Sequence, residues 1–246
     1  MQKNLDFSIF IGLVLFFTLA QYVLAVYPLS HEKCNLQDSD CLRKQAQATV
    51  RAFVEGVPEH GIKKLDKMEM DHVEVKAHKL HYEMWNTTVE GFNNTIIDDI
   101  SIQKELKIMH ISFHTNLVVT CDYNADGEVF AMPINGNGKA ELIMNNLQVD
   151  LVILFDIVKN DEGKDIMDLK TYFFGADAVD GVHYYFENLF NGDKVKGDKA
   201  LAFMNKSWRT IVANYGRFFT IKVMDDIFEA IKIYMRSCPL EDLALY

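Results

Sequence analysis

Asp122-x-Asn124-x-Asp126-Gly127 has the spacing of the first half of a calcium-binding loop. Such a loop needs a bidentate Glu at its twelfth position, where this chain has Pro133. A tight hairpin turn accounts for the same residues without an ion. Five histidines, His72, His78, His81, His110 and His114, fall in a region that reads as strands. On one extended strand His72 and His78 share a face, and His81 points the other way. Surface or cross-strand polar roles are expected for them, and no metal site. No Cys-x-x-Cys occurs, and zinc is not expected. No serine lies in Gly-x-Ser-x-Gly, and no phosphate-cradling or dinucleotide glycine fingerprint occurs. Asp98-Asp99 and Asp225-Asp226 are neighbours that diverge, and read as solvated surface. No catalytic residue and no cofactor is assigned. An ester hydrolase built on another constellation stays as an alternative.

The first 25 residues bear on the remaining chemistry. Lys3 precedes an apolar run from Phe7 to Ala20, and Val23-Leu24-Ala25 offers short residues before a cut after Ala25. This reads as a secretory signal, leaving residues 26–246 as the mature chain. A membrane anchor is the rival reading, since Phe7 to Val26 approaches the ~20 residues of a span. No second such run follows, so stable membrane insertion after cleavage is not expected. Export would oxidise nearby cysteines. Of Cys34, Cys41, Cys121 and Cys238, the first two are expected to pair and close a small loop. Cys121 and Cys238 either form a second bridge or remain buried thiols. Export also makes Asn86, Asn93 and Asn205 candidate glycan sites, each within an Asn-x-Ser/Thr sequon. A net charge of −10 argues against nucleic acid and anionic membrane surfaces, which both require clustered Lys and Arg.

Several elements must position these residues. Ser39 and Asp40 can cap a first helix in which Leu42, Ala46, Val50 and Phe53 recur at three-to-four spacing, ended by Gly56 and Pro58. From Met68 to about Leu189 the pattern is mostly strands. The clearest runs from Leu147 to Ile157, apolar at every second position. Asn124–Gly127, Asn135–Gly138 and Asn160–Gly163 read as the turns between strands. From Asp198 to Cys238 no proline interrupts a helical apolar stripe, and Gly216 marks a bend. About 40 residues at ~1.5 Å each give a rod of roughly 60 Å. Its stripe is too wide for a coiled-coil seam and needs a wrapper. The fold class that follows is α+β, a long curved antiparallel sheet wrapped around one long C-terminal helix. Such a rod is hard to pack without voids, and a lipophilic ligand is a natural filler.

The ordered set of motifs has a known counterpart. Cys34-x6-Cys41-Leu42 is followed by Glu55-Gly56-Val57-Pro58-Glu59-x-Gly61-Ile62 and Leu65-Asp66. Asp122-Tyr123-x3-Gly127 and Pro133-Ile134-x-Gly136-x-Gly138 come next, then Glu187-Asn188-Leu189-Phe190-Asn191-Gly192-Asp193 and Asn205-x-x-Trp208. The mature chain thereby resembles the insect Takeout and haemolymph juvenile-hormone-binding family, and its Pro133 segment resembles the Takeout branch. The resemblance implies that residues 26–246 form a single domain, a TULIP-like wrap around an apolar tunnel. It implies a secreted, monomeric carrier in haemolymph or another extracellular fluid. Its ligand would be a juvenile-hormone-like terpenoid or other long, fatty-acid-like lipid, and the setting circadian output, feeding or chemosensation. Candidate tunnel residues are Phe203, Met204, Trp208, Ile211, Tyr215, Phe218, Phe219, Met224 and Phe228 on the helix. Leu151, Ile153, Phe155 and Tyr184 are candidates on the sheet, with Tyr184 or Tyr215 orienting a polar ligand end. Cys121 and Cys238 stand where that pattern has Gly and an aromatic, and hint at an extra bridge. A signalling protein with a vestigial tunnel is the other alternative.

Overall fold

Two very long strands form the spine. In the computed structural model, which describes residues 32–77 and 79–246, β5 (Ile108–Val129) and β6 (Met132–Lys159) pair antiparallel over 22 and 28 residues. The signal segment with its cut after Ala25, and His78, lie outside the described residues. The spine's register runs from Ile108↔Leu154 to Val129↔Met132 and slips once, between Thr115 and Leu117. At that bulge the Asn116 side chain accepts the Asn146 amide at 2.7 Å, with Asn146 itself left-handed at φ 47°. Bulges of this kind bend and twist a strand pair.

The slip divides the sheet into two halves with different partners. On one side β4 (Ile96–Gln103) pairs with residues 108–114 of β5, and residues 147–159 of β6 pair with β7 (Asp165–Ala178). On the other, β3 (Leu80–Glu90) pairs with residues 118–127 of β5, and β8 (Val182–Phe186) with residues 140–144 of β6. β2 (Lys67–Ala77) pairs with β3 and forms one edge of the path β2-β3-β5-β6-β7. The alternation predicted over 147–157 is observed as far as 155: Leu147, Val149, Leu151, Ile153 and Phe155 are buried, and Ile157 is half-buried.

Two predicted turns lie elsewhere. Asn124–Gly127 and Asn135–Gly138 sit within β5 and β6, and the chain reverses at Phe130-Ala131. The glycines are there for close approach. A Cβ on Gly127 (φ 121°) would lie 2.0 Å from the Lys79 carbonyl oxygen, and one on Gly136 (φ 145°) 2.8 Å from that of Asn188. Asn160–Gly163 is a turn, between β6 and β7, as expected.

Helices close the open face. α1 (Ser39–Val54) is capped by Asp38, not Ser39 or Asp40, whose Oδ1 accepts the Cys41 amide at 3.0 Å. The C-terminal rod begins earlier than predicted and is not one α-helix. α2 (Lys194–Lys206) breaks at Ser207 and is followed by α3 (Trp208–Ile211). A π-helical turn, Val212–Gly216, leads into α4 (Arg217–Ser237). The irregularity expected at Gly216 is a π-helical turn that ends there, with a break at Ser207 besides. A short α5 (Leu240–Leu243) leads to β9 (Ala244–Leu245), which pairs in parallel with β1 (Cys34–Asn35).

Cys34 and Cys41 are disulfide-bonded. The second bridge is not formed: Cys121 and Cys238 are free, buried thiols. Cys121 pairs with Ala140, whereas the segment after Cys238 lies beside the β6–β7 turn through a 3.3 Å Lys164–Glu241 ion pair. The two thiols thus sit toward opposite ends of β6.

Candidate functional site

The two halves are filled differently. Around β4, β7 and α4 the interior is side chains: Leu151, Ile153, Phe155, Met167 and Leu169 are at most 2% exposed. The Tyr172 and Phe228 rings meet at 4.7 Å, and Tyr172 donates to Asp225 at 2.5 Å. Around β3, β8, the π-turn and the last residues of β7 (Phe174, Ala176 and Ala178) lies a cavity of about 390 Å³. β2 and β3 contribute Val75, Leu80, Tyr82 and Met84 to its wall; the spine contributes Val119, Tyr123, Ala125, Ile134 and Met144. β8 adds Val182, Tyr184 and Phe186. The rod closes it with Met204, Ile211, Tyr215 and Phe219, among others.

Five of the thirteen predicted tunnel residues line this cavity: Met204, Ile211, Tyr215, Phe219 and Tyr184. The other eight do not. Leu151, Ile153, Phe155, Met224 and Phe228 are core of the packed half. Phe203 and Trp208 pack partly buried against the core, and Trp208 also carries the Arg209 guanidinium over its ring. Phe218 is 45% exposed, because the π-turn rotates it away from the sheet. A plain three-to-four stripe does not register that rotation. The wall residues of β2, β3 and β5 were missed. Their signal was the alternation of Val75, Tyr82, Met84, Val119 and Tyr123, which reads equally well as ordinary sheet core.

The π-turn has local causes. The Asn214 side chain donates to the Thr210 carbonyl at 2.7 Å, and Thr220 Oγ1 donates to the Gly216 carbonyl at 3.2 Å, serving helix carbonyls from side chains. Gly216 admits Val212, whose Cγ1 would lie 3.1 Å from a Cβ there. Opposite, the β5–β6 tip holds Phe130 and Ala131 left-handed at φ 51° and 65°. Each such non-glycine residue costs roughly 1–2 kcal/mol. The Phe130 ring stands 5.8 Å from that of Tyr215, so the strained tip meets the π-turn beside the cavity.

Apart from Arg217, the polar groups of the lining are neutral. Tyr82 stacks on Tyr123 at 6.1 Å, and Tyr123 meets Phe186 edge-on at 4.9 Å. Tyr123 donates to the Glu187 carbonyl at 2.6 Å. The Tyr82 hydroxyl is sealed from solvent and faces only the weak thiol of Cys121. Burial pushes the Tyr123 phenol up to about 12 and the Cys121 thiol to about 11, and raises Tyr82 and Tyr184 as well. These phenols therefore stay protonated at neutral pH. Among the described residues the lining holds no serine, histidine or carboxylate, and its one cation, Arg217, is an exposed residue. The site can bury apolar surface and offer hydroxyls. It contains no nucleophile–base pair.

Elsewhere, Asn205 is held: its side chain accepts the Tyr184 amide at 2.7 Å and donates to the Tyr184 carbonyl at 3.0 Å, fixing α2 to β8. Of the three sequon asparagines only Asn86 is exposed. His110 faces Asp99 and Asp150, and His114 faces Asp98, the cross-strand polar roles expected. His72 and His81, read as facing apart, share a face, because the chain reverses between the register partners Ala77 and Leu80.

Comparison with known proteins agrees with this architecture. The haemolymph juvenile hormone binding protein (JHBP) family model matches residues 12–244. The circadian clock-controlled protein daywake of Drosophila melanogaster is 24% identical over 223 residues, 83% of either chain. Its Drosophila yakuba counterpart is 23% identical over 197 residues, 75% of either chain. The crystal structure of Epiphyas postvittana Takeout 1 superposes with a TM-score of 0.85 at 29% identity, covering 87% of this chain and 100% of that one.

Proposed function

Because the chain belongs to the haemolymph juvenile hormone binding protein family, whose members are ligand-binding carriers, we propose that it is a secreted, monomeric carrier of one small lipophilic molecule. The ligand is a juvenile-hormone-like terpenoid or another long lipid, held between the β3–β8 wall and the π-turn. The supporting observation is the cavity of about 390 Å³, walled by aliphatic and aromatic side chains and hydroxyls alone but for Arg217. That volume falls within the ~300–1,000 Å³ of small-molecule sites. Transfer of apolar area out of water drives binding. A ligand of ~16 carbons gains roughly 12 kcal/mol gross at ~0.8 kcal/mol per CH₂. Association costs of at least ~4 kcal/mol leave about −8, a Kd near micromolar.

Export after removal of residues 1–25 is supported by the Cys34–Cys41 bond, since disulfides persist in oxidising compartments. No helix among the described residues is long and apolar enough to cross a membrane. Asn86 is the glycan site this reading favours, being exposed where Asn93 and Asn205 are half-buried. The two daywake relatives are named as clock-controlled, which supports circadian output as the physiological setting over feeding or chemosensation.

Titration with an environment-sensitive apolar fluorophore tests the carrier reading. One probe should bind per chain, and terpenoid esters should displace it intact. Phe219→Asp puts a charge on the wall and should cost at least about tenfold in probe affinity, with a much smaller loss of folding stability. Cleavage of the displacing ester would favour the hydrolase alternative. Failure of every probe and lipid to bind would favour a vestigial cavity.

A further inference from the structure

The outer face of the β2–β3 hairpin carries a constellation that the cavity does not use. Glu74 and Glu83 are direct cross-strand partners, with His72 and His81 beside them on the same face. His81 Nε2 lies 2.9 Å from Glu74 Oε1 and 3.8 Å from Glu83 Oε2. His72 Nε2 lies 3.4 Å from Glu83 Oε1, its ring stacked on Trp85 at 5.6 Å and 22°. One ligand atom each from Glu74, His81 and Glu83 lie within 4.8 Å of one another. Like charges placed directly opposite across strands repel unless a cation lies between them. The Lys76 ammonium sits on Glu74 at 2.6 Å, while Glu83 meets the two imidazoles.

We propose that this hairpin binds one zinc-class divalent transition-metal ion through Glu74, His81 and Glu83, with water completing the tetrahedron. Tetrahedral zinc with bonds of ~2.0–2.1 Å sets its ligand atoms roughly 3.4 Å apart. His81 Nε2 lies 2.9 Å from Glu74 Oε1 and 3.8 Å from Glu83 Oε2, on either side of that value, and small side-chain rotations would bring the three ligands to it. Mixed imidazole and carboxylate donors select zinc, copper or nickel over calcium and magnesium, which take oxygen ligands. Two carboxylates neutralise the ion's charge, and Lys76 is exposed and free to swing to solvent once displaced. β2 is a sheet edge, and the inner face of the same hairpin gives Val75, Tyr82 and Met84 to the cavity. The ion would brace that wall from outside.

Calorimetric titration of the tag-free chain with Zn²⁺ tests the site, with Co²⁺ absorption as a second readout. The expected result is saturable one-to-one binding, a tetrahedral Co²⁺ spectrum displaced by Zn²⁺, and no competition from excess Ca²⁺. His81→Ala and Glu83→Gln should each weaken Zn²⁺ about tenfold or more. Both side chains lie on the hairpin's outer face, so far-ultraviolet circular dichroism should be unchanged. His110→Ala, on the separate Asp99–Asp150 pair, should change nothing. Non-saturating binding, equal affinity in His81→Ala and Glu83→Gln, or loss of binding in His110→Ala would each overturn the proposal.

Discussion

The halves of the sheet on either side of the Thr115–Leu117 slip share one spine and one alternation of apolar residues, yet one is filled and the other hollow. In the filled half a regular α-helix, α4, lies on β7 and inserts Met224, Ile227 and Phe228. In the hollow half the rod is broken at Ser207 and widened at the π-turn, and the cavity lies between it and the wall. Both layers differ: the sheet wall of the cavity includes the small residues Ala125, Ala176 and Ala178, where the filled half has Leu151, Ile153, Phe155 and Leu169, and the rod facing it is irregular.

Mutations that treat the halves alike should expose the difference, and the largest effect should come from deletion. Phe155→Ala in the filled half should cost about 3–5 kcal/mol by denaturant unfolding, while Phe219→Ala beside the cavity should cost under about 2 kcal/mol. Equal losses would mean that the two interiors are packed alike. Added bulk comes next. Ala230→Phe should destabilise by roughly 1–3 kcal/mol, because a close-packed interior cannot take the ring. Ala125→Phe should leave stability nearly unchanged and exclude the apolar probe, since Ala125 faces open volume.

A smaller effect is expected at the polar end of the cavity. Tyr82→Phe removes a buried hydroxyl whose one neighbour is a thiol, and should raise the stability of the empty chain by about 1 kcal/mol. The smallest effect concerns pH. The folded chain holds the Tyr82, Tyr123 and Tyr184 protons more tightly than the unfolded chain does. Their contribution to stability is complete below the ordinary phenol value of ~10. It is lost as pH rises through the folded values. Probe affinity should therefore be flat between pH 5 and 9 (~0 change), with alkaline loss of stability only above ~10.

The outline of this molecule is legible in residue patterns; the location of its void is not. Alternation over 147–157 and the proline-free stripe after Asp198 give the wrapped rod, because burial of one face leaves a period in the sequence. Asn124–Gly127 and Asn135–Gly138 mislead for a physical reason. Glycine marks both turns and close backbone approach, and the approaching Lys79 and Asn188 carbonyls belong to distant segments. Phe228 and Phe219 look equivalent on the stripe. Only the π-turn between Val212 and Gly216, driven by Asn214 and Gly216, separates a core ring from a cavity ring. The His72–His81 face was hidden likewise by a reversal at Ala77–Leu80 that carries no glycine.

Native mass spectrometry of the chain secreted from insect cells tests the central claim most directly. The account predicts one apolar molecule of a few hundred daltons per chain, retained by the wild type and lost from Phe219→Asp. A bare chain that neither carries nor takes up any lipid, and whose melting temperature no lipid raises, would contradict it.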